Sequence, residues 1–527
     1  MSERILPILL LACLLTSTSP AQVLRENPEQ PPRAPSAAKA SAVKPCFQPG
    51  ALMIPLGESR SARLTGTPVG AAPVLEVGSP EVARASYRSG VLSVSGLAPG
   101  QTAVTVRFPE RELRLPVEVR PWAVRLPERL EIRWNGEPPD RALYSEMLRT
   151  LLLSAGDLHA RAKLTVEYKE LPKPGAAASH QVKIEAAGPG LLPVSREVTV
   201  SVRPEAVSLT SAEALVVSNR PERVAGTGYL LQRTLPPGAV RLLYHHRNEP
   251  GHPERQLEVV LSNPCSEPQR VLLVLASVGP SEDEIYAGHE ATRRFVRRVV
   301  GRQGLVLTLP ARGSLTIDRL RMKPGQTVSG MALLQPLDEG TLELGIRAVA
   351  ESDPFPEAVS SGELEAGEGR TARGIFPPVV ESRHSHVLGG PFTYVPLGDE
   401  PFLRDPDTGE IGYGNFGVVH RILVELYNPD PEPRDAWVEF VPGGGPARGV
   451  LFLEDRLIEA AMARAHQTIR LGDWTLEPGE TRWVTVETFP QSGSNYPVRL
   501  VFKSQFQGRS AAGKPHPGPE DWPRYLP

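Results

Sequence analysis

The sequence predicts an all-β chain of tandem β-sandwich domains with a few short helices, and three observations carry that expectation. A hexapeptide frame, Asn263-Pro264-Cys265-Ser266-Glu267-Pro268, returns as Asn428-Pro429-Asp430-Pro431-Glu432-Pro433. Each copy follows an alternating run, Leu257 to Leu261 in the first and Leu423 to Tyr427 in the second, and is followed by a second apolar run, Val271 to Leu275 and Ala436 to Phe440. That order reads as strand, turn, strand, because proline cannot donate to a β-ladder and asparagine accepts turn geometry. Finally, 56 prolines and 47 glycines among 527 residues, with only 6% aromatic residues, suit short strands joined by tight turns better than helical bundles.

At this length the chain should hold three to four domains, each able to bury its own core. A formal charge of −2 gives no general pull towards nucleic acid or an anionic membrane. Three cysteines cannot form a disulfide framework. Cys46 and Cys265 either pair across domains or stand as independent thiols.

Taken in order, residues 1–21 form an export signal: Arg4 gives the positive start, Ile5 to Leu15 the apolar run, and Ser19-Pro20-Ala21 the small-residue cleavage site. The apolar run is too short to span a bilayer, and no later stretch reads as transmembrane. Leu10-Leu11-Ala12-Cys13 resembles a lipobox, so lipidation at Cys13 is the alternative route. Residues 22–45, rich in Pro, Ala, Ser and Glu, are expected to be a disordered spacer.

Residues 46–120 carry short strands separated by turn residues. Strands end at Gly57-Glu58-Ser59, continue through Ser79-Pro80-Glu81-Val82-Ala83, and finish with Leu92-Ser93-Val94-Ser95-Gly96-Leu97-Ala98-Pro99-Gly100-Gln101-Thr102-Ala103-Val104-Thr105-Val106. This stretch resembles the bacterial Ig-like modules of group 2, and is similar to the N-terminal Ig-like domain of pilus-secretion secretins, although no secretin ring sequence follows. The resemblance implies an Ig-like fold used as an extracellular spacer or adhesive module, with no chemistry of its own.

Residues 121–204 are expected to form a small sandwich with one helix. Leu143, Met147, Leu148, Leu151 and Leu152 recur at helical spacing between Asp140 and Ser154. Residues 205–350 and 376–504 are the two repeat domains, joined by an acidic, Gly/Ser/Pro-rich linker at 351–375. After each Asn-Pro turn the sequence predicts a short helix, Glu290 to Val300 and Glu454 to Ala465, then a second turn, Pro310 to Ser314 answering Glu477 to Thr481. Residues 505–527 lack periodicity and are expected to be disordered, with Trp522, Tyr525 and Leu526 able to dock. Ser218 to Glu222, Arg241 to His246, Gly279 to Asp283 and Tyr413 to Val419 resemble landmarks of uncharacterised secreted bacterial envelope proteins. Some of those carry wall-anchoring or stalk-type modules; the resemblance implies a location and no activity.

Candidate chemistry is sparse. His384 and His386 share a strand face and could ligate a metal, but a third ligand is not evident nearby. Asp405 to Glu410 superficially resembles a calcium loop, yet Gly409 falls one position early and Phe416 stands where the bidentate glutamate belongs. Gly443, Gly444 and Gly445 lack the Lys-Ser/Thr of a phosphate loop. No cofactor and no catalytic motif is expected. Two places are candidate binding surfaces: Arg293, Arg294, Arg297, Arg298 and Arg302 on a helix face, suited to an acidic polymer, and the loop Gly443-Gly444-Gly445 with Arg448. The expected protein is therefore an exported, periplasmic or surface-located, non-enzymatic scaffold or adhesion module that binds a wall polymer or an envelope protein. The alternatives are a polysaccharide-directed enzyme with an unrecognised cleft, and an assembly factor that adds a strand to a client.

Overall fold

The computed structural model describes residues 45–66, 73–109, 111–154, 158–169, 178–350, 372–509 and 518–527. The expected export signal, the expected spacer up to residue 44 and the expected linker as far as residue 371 lie outside the described residues.

The N-terminal strands are β1 (Cys46–Gln48), β2 (Leu52–Pro55), β3 (Ser59–Thr65), β4 (Val74–Val77), β5 (Ala83–Arg88), β6 (Val91–Gly96), β7 (Gly100–Phe108) and β8 (Arg111–Arg120). They form two four-stranded sheets, β1-β3-β6-β5 and β2-β8-β7-β4. Alternation does the work: Leu92 and Val94 point inward from one sheet, Val104, Val106, Leu115, Val117 and Val119 from the other, all nearly sealed from solvent. Each such side chain stabilises the fold by about 1.5–3 kcal/mol relative to exposure. Trp122 closes the end of this domain by donating from Nε1 to Glu58 Oε1 at 2.7 Å.

Residues 121–204 supply β9 (Arg129–Asn135), α1 (Arg141–Ser154), β10 (Lys163–Glu167), β11 (Ala178–Ala187) and β12 (Val194–Pro204). They do not close a sandwich of their own among the described residues, which corrects the expectation for this region. The order is β10-β11-β12-β9, and β9 then pairs antiparallel with β19 (Gly304–Leu309) of the next domain. One eleven-stranded sheet results, continuing through β18 (Gln269–Ser281), β21 (Thr327–Pro336), β16 (Val240–Asn248), β13 (Ala214–Ser218) and β23 (Arg373–Phe376), with β14 (Arg223–Val224) beside β16. Helix α1 takes the place of the missing second layer. Tyr144, Met147, Leu148 and Leu152 bury its apolar stripe in the core shared with Ile132, Ile184 and Val200. The facing sheet of the first repeat domain is β15 (Gly228–Thr234), β22 (Glu343–Ala350), β17 (Arg255–Ser262) and β20 (Ser314–Met322).

The second repeat domain packs a five-stranded sheet on a four-stranded one. The first holds β24 (Val379–Val387), β26 (Val419–Tyr427), β31 (Thr481–Thr488), β28 (Ala447–Leu453) and β29 (Arg456–Ala463). The second holds β25 (Thr393–Leu397), β32 (Val498–Ser504), β27 (Arg434–Pro442) and β30 (Ile469–Leu476). The two domains share a pairing scheme: β17 lies beside β20 as β26 lies beside β31, and β18 lies between β19 and β21 as β27 lies between β30 and β32.

The repeated hexapeptides are the same lock in both domains. Asn263 and Asn428 are almost fully buried, and each side-chain oxygen accepts the amide two residues on, Cys265 N and Asp430 N, at 3.0 Å. Each side-chain NH2 donates to the carbonyl of the frame's glutamate, Glu267 at 2.8 Å and Glu432 at 2.9 Å, and reaches across to the partner turn at Pro310 or at Leu476 and Glu477. A buried asparagine with both ends satisfied fixes the turn, so the frame is architecture.

Three expectations change. The segment Glu454 to Ala465 is not a helix; it turns at Glu454, where φ is +57°, into strand β29, paired with β28 from Leu453↔Arg456 to Ala447↔Ala463. Its helix-forming residues yield to a neighbouring strand that needs a partner. The tail is not unstructured throughout: residues 518–527 lie against the second repeat domain, with Leu526 buried. The stretch expected to be linker ends inside the first domain's sheet, because β23 pairs with β13.

Candidate functional site

The two surfaces singled out in the sequence are parts of one internal contact. Helix α2 (Glu284–Val300) starts on Asp283, whose side chain accepts the Tyr286 amide at 2.9 Å, and lies between the domains. Phe295, Val296 and Val299 pack against Val274, Ala276, Met331 and Leu333 on one side, and Val419, Val450, Phe452 and Phe489 of the second domain complete the cluster.

The arginines are accordingly spent on internal partners. Arg293 and Arg294 each hold Glu290 (2.7 and 2.8 Å), Arg297 reaches Glu459 of the second domain (2.7 Å), and Arg298, only 7% exposed, bonds Glu146 and the Leu275 carbonyl. The Arg293 guanidinium, with Arg294, outweighs burial and holds the Glu290 carboxyl at about 2. Arg302 is exposed, but it belongs to the helix exit at φ +52°, and its carbonyl accepts from Asn135. The expected free basic face on this helix is therefore corrected: its charges are neutralised and one of them is buried.

The glycine loop braces the other side of the same contact. Gly443 N donates to Pro497 O at 3.0 Å, Gly445 lies against Asn495, and Arg448 N donates to Ser494 Oγ at 3.2 Å. Only Gly444 faces open space. The braced segment receives the start of α2 backbone to backbone. A Cβ on Gly288 would overlap the Ser492 carbonyl, and one on Gly493, at φ +76°, would overlap the Glu284 carbonyl. His289 Nδ1 meets Gln491 Oε1 at 3.0 Å beside them. Gly288 and Gly493 were not legible as interface residues, since Gly288 stands inside a helix and Gly493 in an ordinary Ser-Gly turn, and neither shows in sequence which backbone it meets.

The basic surface lies elsewhere, in a cleft of about 540 Å³ beneath α1. Leu153, Leu158, Leu164 and Val166 make its apolar floor, and Arg149, Lys163, Arg319 and Arg321 line it with cations. Arg319 is tied to the buried Glu258 at 2.7 Å and to the Leu158 carbonyl at 2.7 Å. Arg149 donates to the Arg319 carbonyl, and Lys163 is exposed. Neither of these two has a carboxylate partner among the described residues. The cleft's carboxylate, Glu146, is already engaged by Arg294 and Arg298. At the cleft edge, burial and the nearby Arg161 and Arg319 push His159 down to about 4, so its ring is neutral. The cleft escaped the sequence reading because its cations come from three separate elements.

The remaining candidates occupy structural positions. His386 is buried between Ser504 Oγ (3.2 Å) and Thr393 Oγ1 (3.3 Å), while His384 faces Ser382. Among the described residues no three His, Cys, Asp or Glu side chains converge as a metal-binding group. Asp405 accepts the amides of Asp407, Thr408 and Ile375 at 2.8–3.0 Å, which caps its own turn. Burial works against its charge, but these donors prevail and lower its pKa. Cys46 and Cys265 are both free thiols. No described helix is long and apolar enough to cross a membrane.

No protein-family model matches the chain, and no curated protein matches it. Among solved structures, domains 4 and 5 of the S-layer protein SbsC align at 20% identity over 14% of this chain and 50% of that one, with a TM-score of 0.14. The aligned part thus spans half of that neighbour's length. The titin Ig tandem A164-A165 aligns at 11% identity over 29% of this chain and 92% of that one (TM-score 0.12). The M60 catalytic domain with CBM51-1 and CBM51-2 domains from Clostridium perfringens ZmpB aligns at 10% identity over 90% of this chain and 55% of that one (TM-score 0.16). Overlaps this slight carry no argument about activity.

Proposed function

We propose that the chain is an exported, non-enzymatic scaffold of the bacterial envelope that holds an acidic wall polymer in the cleft beneath α1. One observation carries the reading: Arg149 and Lys163, without carboxylate partners, share a 540 Å³ cleft with Arg319 and Arg321 over an apolar floor. Cations gathered in a concave surface with low-dielectric walls focus potential and concentrate an anionic ligand. The commitment of Glu146 to Arg294 and Arg298 supports binding rather than acid–base chemistry at this place. The fused repeat domains supply a rigid support, and the N-terminal domain, with its likeness to group 2 bacterial Ig-like modules, serves as the spacer.

Co-sedimentation of the mature chain (residue 22 onwards) with purified cell walls, over a salt series, tests this. Binding is expected to weaken as salt shortens the screening length to about 8–10 Å and below. Lys163→Glu should remove most of it, whereas Arg297→Ala should leave it intact. Equal loss in both variants would overturn the assignment to this cleft. No binding at any salt would overturn the polymer and turn attention to an acidic envelope protein.

A further inference from the structure

Residues 518–527 lie on the face of the second domain's five-stranded sheet that points away from its sandwich core. In β26 and β31 the even-numbered residues Ile422, Val424, Val484 and Val486 fill the core. The odd-numbered Arg421, Leu423, Trp483 and Glu487 therefore face the tail. Arg421 and Glu487 are cross-strand neighbours, 4% and 1% exposed, joined at 2.9 Å from Nε to Oε1.

This pair reads main chain. Glu487 Oε2 accepts the amides of both Tyr525 and Leu526 at 2.7 Å, and Arg421 Nη2 donates to the Leu526 carbonyl at 3.1 Å. Side chains add selectivity. The Tyr525 ring stacks on Phe452 at 4.7 Å and 14°, Leu526 is 3% exposed within the Phe452 and Phe489 cluster, and Arg383 covers the Trp522 ring at 5.4 Å. A buried carboxylate that has lost its amide donors is costly, so the site favours being filled.

The docked segment joins none of the sheets as a strand. Its receptor consists of residues from β24, β26, β28 and β31, fixed by their own pairing, and eight residues, 510–517, separate the last residue before it from Gly518. Short linear segments held by backbone bonds and two or three side-chain pockets are a general mode of peptide capture. We propose that this site also accepts residues 518–527 of a second copy, linking chains tail to groove. The contact is heterologous: reciprocal exchange of tails between two copies closes a dimer, and one-way insertion extends an open chain. A copy's own tail competes at an effective concentration on the order of millimolar, which restricts linking to densely populated surfaces. The inference does not rest on the cleft beneath α1.

The test uses chains from residue 22 onwards, which lack Cys13, with Cys46→Ser and Cys265→Ser. A donor carries Tyr525→Cys; a size-tagged acceptor carries Phe452→Cys together with Leu526→Ala, which weakens its own tail. Mild oxidation should give a mixed disulfide, about tenfold more than with an acceptor retaining Leu526. Excess peptide of residues 518–527 should abolish it. Absence of interchain product, while a single chain carrying both cysteines closes internally, overturns the proposal. If the acceptor does not fold, dye-labelled peptide titrated into the unmodified chain past the tail's own effective concentration, to about ten millimolar, decides: binding that a Leu526→Ala peptide lacks supports the exchange, and none overturns it.

Discussion

The two repeat domains share a lock and a pairing scheme, yet differ in what stands between two equivalent strands. Between β18 and β19 the first domain inserts helix α2; between β27 and β30 the second inserts the hairpin β28–β29. The helix leaves its own sheet's edge free to continue into β9, and it covers that sheet's outer face. The hairpin instead widens the second domain's sheet beside β31 and offers β28 as the surface on which α2 rests. Divergent insertions on a common frame thus convert two like domains into complementary partners.

The largest effects should come from breaking what the copies share. Asn263→Ala and Asn428→Ala each strip a buried turn of its bonds and should cost about 2–4 kcal/mol, by similar amounts, in urea unfolding. A marked inequality would mean the frame has different weight in the two domains. Next comes what they do not share. Gly288→Ala forces a methyl into the Ser492 backbone and should cost about 1–3 kcal/mol, whereas Gly444→Ala, facing open space, should change little.

Both domains bury neutral histidines, so acid should weaken both. Burial pushes His245 to about 3 and His246, His386 and His420 to about 4, against about 6.5 in the unfolded chain. The unfolded state therefore gains protons that the folded state refuses. Stability is complete above about pH 6.5 and falls as pH drops towards 4, by at most about 1.4 kcal/mol per pH unit for each histidine. Glu290, held at about 2, extends the loss from about pH 4.3 downwards at the α2 contact. Urea midpoints at pH 7.5, 5.5 and 3.5 check this sequence, and His420→Gln should flatten the upper part. The smallest effect belongs to the exposed pair across the interface: Arg297→Ala should cost only about 0.2–1 kcal/mol, less at high salt.

Much of the architecture was legible because strands announce themselves locally. Alternation in Leu92 to Val94 or Val104 to Val106 and the Asn-Pro turns each depend on a few neighbouring residues, as does the stripe on α1. The candidate site was not legible in the same way. Clustered arginines on one helix looked like a surface because a sequence does not show Glu146 and Glu459, which arrive from other elements. Arg149, Lys163 and Arg319 lie too far apart in the chain to suggest a cleft. Arg421 and Glu487 alternate with apolar residues as any solvated strand face would.

The sequence by itself determined the β class, the repeated turn lock and the amphipathic character of α1 and α2, since these follow from backbone chemistry and short-range periodicity. Tertiary structure alone decided that residues 121–204 merge into the first repeat domain's sheet, that Glu454 to Ala465 pairs as a strand, and that the tail docks. Each of those outcomes is set by which edge, face or buried charge lies within reach in space, and local propensity yields wherever such a partner is present.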